Sequence, residues 1–435
     1  MLPIENNALQ STIDELGIIN LTSATIRQIG ALSEALEQLC GEEYIHFELG
    51  NPGLPPSQVG VQAEIEALGC GVAGKYPAIT GIPQLKKNGV RFVKAFLDVD
   101  TEPRCIIPTV GSMQASFTLM LLLGQRIPGK DSMLFINPGF PAQRHQAKVL
   151  GLKSVSFDLH DFRGKRLEGK LEEMLSKGNI TGIIYSNPNN PAWTNLTEEE
   201  LSIIGRMATK YDAIVIEDLA YLGMDFRKHL GHPGEPPFIP TVARYTDNYI
   251  LMISASKIFS YAGQRIAMVC MSPEVYKRSY PYLESFYEMA NFGDCYVFGV
   301  LYTASSGTSH SAQYALSAML EASVEGRLHF VDDCSEYARR AYHVKKLLAE
   351  QGFYIVYPDD DGCPISDGFF FTAGYPGLDS EQLQRELLRY GISSISLPST
   401  GSEQAGVRIC VSCISTPEQF AILGQRLKKF HHDHS

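Results

Sequence analysis

A lysine, an arginine and several hydroxyls share the stretch Ser254-Ala-Ser-Lys257-Ile-Phe-Ser-Tyr-Ala-Gly263-Gln-Arg265-Ile-Ala267, which follows the apolar run 249–253. An ammonium placed where an apolar run ends is desolvated and gives up its proton readily, so Lys257 could act as a nucleophile that condenses with a carbonyl. Arg265, with the hydroxyls of Ser254 and Ser256, could hold a phosphate. Taken alone, the stretch also fits the start of an ordinary surface helix. Other runs end in equally polar groups. Glu217-Asp218-Leu-Ala-Tyr221 delivers a carboxylate and, three residues on, a phenol; an acid there could equally cap the next helix. Ser186-Asn187-Pro188-Asn189-Asn190-Pro191 is a rigid turn offering side-chain amides. Thr109-Val-Gly111-Ser112-Met113-Gln114-Ala115 opens a helix whose free N–H groups favour an anion. Asn137-Pro-Gly-Phe140-Pro brings an aromatic ring to a run's end, where it suits a cofactor platform or plain core.

These groups need strands to carry them. Short β-branched runs at 105–110, 133–136, 154–157, 182–185, 213–216, 249–253 and 267–271 alternate with helical patterns and are apolar on both sides of the pleat. That pattern predicts an α/β fold: a seven-stranded, mostly parallel sheet between two helical layers, with ligands at the carboxyl ends of its strands. Residues 1–48 read as helical before a strand-like 44–49, and Gly50-Asn-Pro-Gly-Leu-Pro-Pro56 breaks all regular structure. A second irregular stretch, 74–83, exposes Tyr76. After Gly307 a long helical tract, 311–350, gives way to shorter strands and helices. The expected division is a large domain over 49–310 and a smaller α/β domain over 311–435, joined by residues 1–48.

The chain's 435 residues, 44% hydrophobic and 20% charged, suit an ordinary globular protein of about two domains. A net charge of -11 without a basic block argues against nucleic acid or an anionic membrane as partner. No apolar run is long enough to span a bilayer and the first residues lack a secretory pattern, so a cytoplasmic protein is expected. Nine cysteines read as free thiols. Cys410-Val-Ser-Cys413 has redox or metal spacing but no second pair nearby, and no metal site is expected. The closing residues 428–435 read as a solvated tail.

The order Gly-Ser-x-x-Ala, Asn-Pro-x-Asn-Pro, Asp-x-x-Tyr, Ser-x-Ser-Lys and x-Gly-x-Arg resembles the class I/II aminotransferases, the fold-type I enzymes that use pyridoxal phosphate. The resemblance runs from Gly50 to Arg408. It implies that Lys257 forms an imine with the cofactor aldehyde and later carries the proton between substrate Cα and cofactor C4′. Asp218 would pair with the pyridine nitrogen, and Tyr221 and Asn190 would hydrogen-bond the phenolic oxygen. Phosphate would fall to the backbone at Ser112 and Met113, to Ser254 and Arg265, and more weakly to Ser256. Phe140 would stack on the ring, and Tyr76 would reach the phosphate of a neighbouring subunit, making a homodimer part of the site. Arg408, in Val407-Arg408-Ile-Cys-Val-Ser, would clamp the substrate carboxylate beside the backbone of Gly50.

There are departures from the family pattern. Thr-Gly after Asn-Pro is here Ala192-Trp193, the glycine two places past the arginine is Ala267, and the stacking ring is Phe. None removes a charged or covalent role. Trp193 sits beside Asn190, where its fluorescence could report on the cofactor or the ring could simply pack the turn. Tyr221, Phe140, Trp193 and Phe371 suggest an aromatic-lined site. The activity implied is transfer of an amino group between an L-amino acid and a 2-oxo acid. The same scaffold also supports carbon–sulfur β-elimination, because the cofactor stabilises any carbanion at Cα. An effector-sensing regulator would need a DNA-binding domain of which the sequence gives no sign.

Overall fold

Along the central strands, successive side chains enter two different apolar cores. Leu134, Ile183, Val215 and Leu251 belong to one cluster, while Met133, Ile184, Ile216 and Met252 belong to another. Period-two alternation puts neighbours on opposite faces, so a strand apolar at every position must be covered on both. The computed structural model describes residues 2–435 and arranges the strands accordingly. β1 (Ile45–His46) stands apart. β2 (Ile106–Thr109), β3 (Ser132–Asn137), β4 (Lys153–Asp158), β5 (Ile180–Ser186), β6 (Ile214–Asp218), β7 (Tyr249–Ser254) and β8 (Ala267–Met271) form one sheet in the order β2-β8-β7-β6-β5-β3-β4. Strand β8 runs antiparallel to both its neighbours, and the other pairs are parallel. All seven strands lie where the sequence pattern predicts them.

The C-terminal part carries β9 (Tyr354–Ile355), the small hairpin β10 (Asp359–Asp360) and β11 (Cys363–Pro364), then β12 (Phe370–Gly374), β13 (Ile392–Ser393), β14 (Ile395–Ser396) and β15 (Val407–Cys410). Its main sheet has the order β14-β15-β12-β9 and is antiparallel throughout. Strands β13 and β14, adjacent in sequence, part company: β13 pairs in parallel with β1, and β14 pairs with β15.

Three helices complete the N-terminal part: α1 (Asn6–Glu15), α2 (Ile26–Cys40) and α3 (Gln58–Gly69). A capping box at Thr25, closed by Gln28, starts α2. Leu9, Ile29, Leu32 and Leu36 of α1 and α2 pack against Leu388 and Ile395, so the chain's beginning is buried against its end. The closing residues correct the expectation of a solvated tail over 428–435. They form a helix, Pro417–His434, in which Phe430 is buried and His434 stacks on it at 4.3 Å. Among the described residues, no helix is long and apolar enough to cross a membrane.

Candidate active site

A cleft of about 470 Å³ opens at the carboxyl ends of the central strands, and the residues that follow β2, β3, β5, β6 and β7 all line it. One end has the makings of an anion site. Helices α4 (Pro83–Leu97) and α5 (Gly111–Gln125) flank β2, and the N-terminus of α5 faces the cleft with Ser112 and Met113. Gly111 has φ of 68°, and a Cβ there would come within 2.4 Å of Arg265 Nη2, so only glycine lets the guanidinium lie against the start of the helix. Ser112 Oγ is buried without a hydrogen-bond partner. Ser254 caps the short helix Ala255–Ile258 by accepting from Ser256 N at 3.2 Å, and Arg265 Nη1 reaches Ser256 Oγ at 3.4 Å. A buried hydroxyl, a guanidinium and free helix N–H groups in one place are incomplete without an anion.

The middle of the cleft holds Asp218. Its Oδ2 accepts from Gln143 Nε2 at 2.8 Å and its Oδ1 from Ala220 N at 3.2 Å. Gln143 belongs to α6 (Pro141–Val149), which begins immediately after Phe140. Burial pushes the carboxyl up to about 6 despite these two donors. A cation beside it would reverse that shift. Tyr221 is buried too, and burial raises its phenol well above the ordinary range, with a hydrogen bond from Asn190 pulling the other way.

Lys257 and Arg408 close the site from the other side. Lys257 Nζ donates to the backbone carbonyl of Gly50 and lies 5.3 Å from the Phe369 ring centroid. Burial, with help from Arg408 and Arg265, lowers its ammonium to about 8. Arg408, on β15, is 1% exposed. Its Nη2 donates to the carbonyl of Glu48, its Nη1 to Asn190 Oδ1 at 3.4 Å, and its guanidinium lies 4.9 Å from the Phe370 ring centroid. Its Nε has no partner, and among the described residues no carboxylate pairs with it. A buried guanidinium so placed lacks a carboxylate.

Comparison with known proteins agrees with this geometry. The family profile "Aminotransferase class I and II" matches residues 42–427. The chain belongs to that family. An aspartate aminotransferase from Pyrococcus horikoshii is 27% identical over 237 residues, which is 54% of this chain and 58% of that one. The chain thus matches little more than half the length of that curated relative. An LL-diaminopimelate aminotransferase from Natranaerobius thermophilus is 25% identical over 81% of this chain and 82% of its own. A solved aspartate aminotransferase from Thermus thermophilus with maleate superposes with a TM-score of 0.72 over 97% of this chain and 98% of that one, at 18% identity.

Class I and II aminotransferases depend on pyridoxal phosphate, and the residues of this cleft fit such a group. The unpartnered Ser112 Oγ and Arg265 suit its phosphate, Asp218 suits a protonated ring nitrogen, and Lys257 suits its carbonyl carbon.

Of the residues singled out from sequence, the cleft gathers Gly50, Ser112, Met113, Phe140, Asn190, Asp218, Tyr221, Ser254, Ser256, Lys257, Arg265 and Arg408. Tyr76 is not among them. It is 90% exposed, on a separate surface beside Leu68 and His310. Phe371 is a correction: it is buried in the C-terminal core, and Phe370, one residue earlier, faces the cleft. Trp193 does not line the cleft either. It is fully buried behind Tyr221 and Phe370, at ring distances of 5.6 and 6.2 Å, and donates to Ser366 Oγ at 3.0 Å. Sequence reasoning missed Gln143, Phe370, Ile26 and Asn51. The place of Gln143, three residues after Phe140 at a helix start, was the one available signal.

Proposed function

We propose that this protein binds pyridoxal phosphate in the cleft and transfers an amino group between an L-amino acid and a 2-oxo acid. When bound, the cofactor supplies an electrophilic carbonyl carbon and a sink for the electrons of the substrate Cα–H bond. Ser112, the backbone at Met113, Ser254, Ser256 and Arg265 hold the phosphate, and Phe140 covers one face of the ring. Asp218, ionised and fixed by Gln143, holds a proton on the ring nitrogen. Tyr221 and Asn190 donate toward the phenolic oxygen. Arg408 would bind the substrate α-carboxylate and orient the Cα–H bond toward Lys257, whose amine, easily deprotonated in this setting, would accept the Cα proton.

What carries the reading is the joint presence, in one cleft, of a lysine brought down to about 8 and two buried, incompletely paired groups, Ser112 Oγ and Arg408 Nε. One needs a phosphate and the other a carboxylate. The exposure of Tyr76 outside its own cleft supports a homodimer in which it reaches the neighbouring subunit's phosphate. The pairing of β1 with β13 and the shared apolar cluster support joining residues 1–48 to a small domain over 311–435, with 49–310 as the large domain. A cytoplasmic location goes with this reading.

The visible absorption spectrum tests it. Adding single amino acids without any oxo acid should bleach the yellow protein stoichiometrically and release one equivalent of oxo acid. Continuous release of pyruvate and ammonia with the colour restored would mean β-elimination instead, and failure to take up pyridoxal phosphate would overturn the cofactor assignment.

A further inference from the structure

Arg408 leans on a backbone carbonyl whose own residue begins a chain of charged groups that runs from the interior to half-buried positions. Glu48 is fully buried. Its Oε1 faces His46 Nδ1 at 2.8 Å, and its Oε2 accepts the hydroxyl of Ser393. The other imidazole nitrogen of His46, Nε2, faces Glu37 Oε1 on α2 at 3.2 Å. His46 and Ser393 are register partners in the β1–β13 ladder. The segment is therefore anchored at its start by an acid–imidazole–acid chain and a cross-strand hydroxyl. At its far end two carbonyls are offered to the cleft, that of Glu48 to Arg408 and that of Gly50 to Lys257. Glu48 is also the carboxylate whose field bears on Arg408.

We propose that His46 and Glu48 are positioning residues for substrate: with Ser393 they hold the Glu48 carbonyl under Arg408, and the proton on His46 offsets the Glu48 charge that would otherwise repel the substrate carboxylate. This rests on the reading of Arg408 as the carboxylate site. The groups facing His46 are Glu37 from α2, Glu48 from its own strand and the Ser393 hydroxyl from β13, with Arg408 on β15 beyond Glu48. Both carboxylates raise the imidazole above its ordinary 6.5, against the opposing effect of burial. A raised folded-state value means the charged pair is intact at lower pH and is lost as pH rises through it. Carboxylate binding should weaken in the same direction.

The test is calorimetric titration of the holoenzyme with propionate, which has the carboxylate but no amino group. His46→Gln keeps a donor and loses the charge, and should weaken propionate at least about tenfold at pH 6, as loss of one charge-assisted contact does. The ratio of variant to wild-type dissociation constants should fall toward one by pH 9, a trend that cancels any titration common to both proteins. Ser393→Ala, which removes the other Glu48 anchor, should weaken propionate by a ratio that does not vary with pH, and it serves if the histidine variant does not fold. Arg408→Lys is the control. If it weakens propionate while the His46 and Ser393 variants do not, or if the His46 ratio is flat with pH, the positioning role is wrong and Arg408 stands. If Arg408→Lys leaves propionate binding unchanged, the carboxylate site itself is wrong.

Discussion

Gln143 Nε2 donates to Asp218 Oδ2 across 2.8 Å, tying the helix that follows Phe140 to the carboxylate that ends β6. Two donors favour the carboxylate anion, yet burial dominates and leaves the group near 6, against an ordinary 3.8. A folded-state value above the unfolded one means the ionised form is penalised by folding. Without cofactor, Asp218 therefore costs stability above pH 6, and the cost fades as pH falls toward 4.

Asp218→Asn should thus make the cofactor-free protein more stable at pH 8 by on the order of 1–3 kcal/mol, with the gain gone near pH 4. Thermal denaturation at the two pH values measures this. The same variant should lose cofactor on dialysis, so that gain of stability and loss of binding appear together; equal stability at pH 8 would mean that burial does not penalise this carboxylate.

Arg408→Ala removes a buried charge-assisted contact worth about 1.5–3 kcal/mol, and should raise KM for the amino donor by one to two orders of magnitude. The cofactor should stay bound, since Arg408 touches Glu48 and Asn190 and not the helix start at Ser112. Loss of cofactor in this variant would place Arg408 at the wrong end of the cleft.

Gly111→Ala puts a methyl where Arg265 Nη2 lies, 2.4 Å from the ideal Cβ, and asks alanine to hold a φ of 68°. The strain costs roughly 1–2 kcal/mol, and the guanidinium must also move. Pyridoxal phosphate affinity should fall at least about tenfold, measured by fluorescence titration of the apoprotein. Unchanged affinity would remove Arg265 from the phosphate site.

Trp193 has φ of 62°, a conformation that favours glycine, and this gives a physical meaning to its replacing the family's usual glycine. Its indole fits because residue 368 has no side chain: a Cβ on Gly368 would meet the ring at 2.1 Å. Gly368→Ala should lower stability by about 1–3 kcal/mol through overpacking, and the displaced indole should shift its emission maximum. A variant of wild-type stability and emission would show that the ring has room to move.

Much of this was legible before folding was considered. Lys257, Asp218 and Asn190 each lie at or within a few residues of the end of a run apolar on both faces, and a short run of that kind bounded by turn residues reads as a strand covered on both sides. The groups that follow such strands then share one edge of one sheet. Local pattern alone therefore brought the Lys257, Asp218 and Ser112 chemistry together. Pattern could not choose among Phe369, Phe370 and Phe371, because period two leaves the facing residue to the register of β12 against β15.

The closing residues differ from their composition for a related reason: the histidines are polar, but Phe430 is buried and His434 stacks on it because of what the helix packs on. Gln143 became a ligand of Asp218 only when α6 was laid across β6, and Glu48 reached Arg408 only when residues from the two ends of the chain met. The sequence by itself determined which strands form and what each one carries to its end, since hydrophobic periodicity and turn chemistry act over a few residues. Only the tertiary structure decided which distant carbonyl, amide or ring each charged group meets, because those contacts, such as that of Arg408 with the Glu48 carbonyl 360 residues away, join segments through packing that no local pattern encodes.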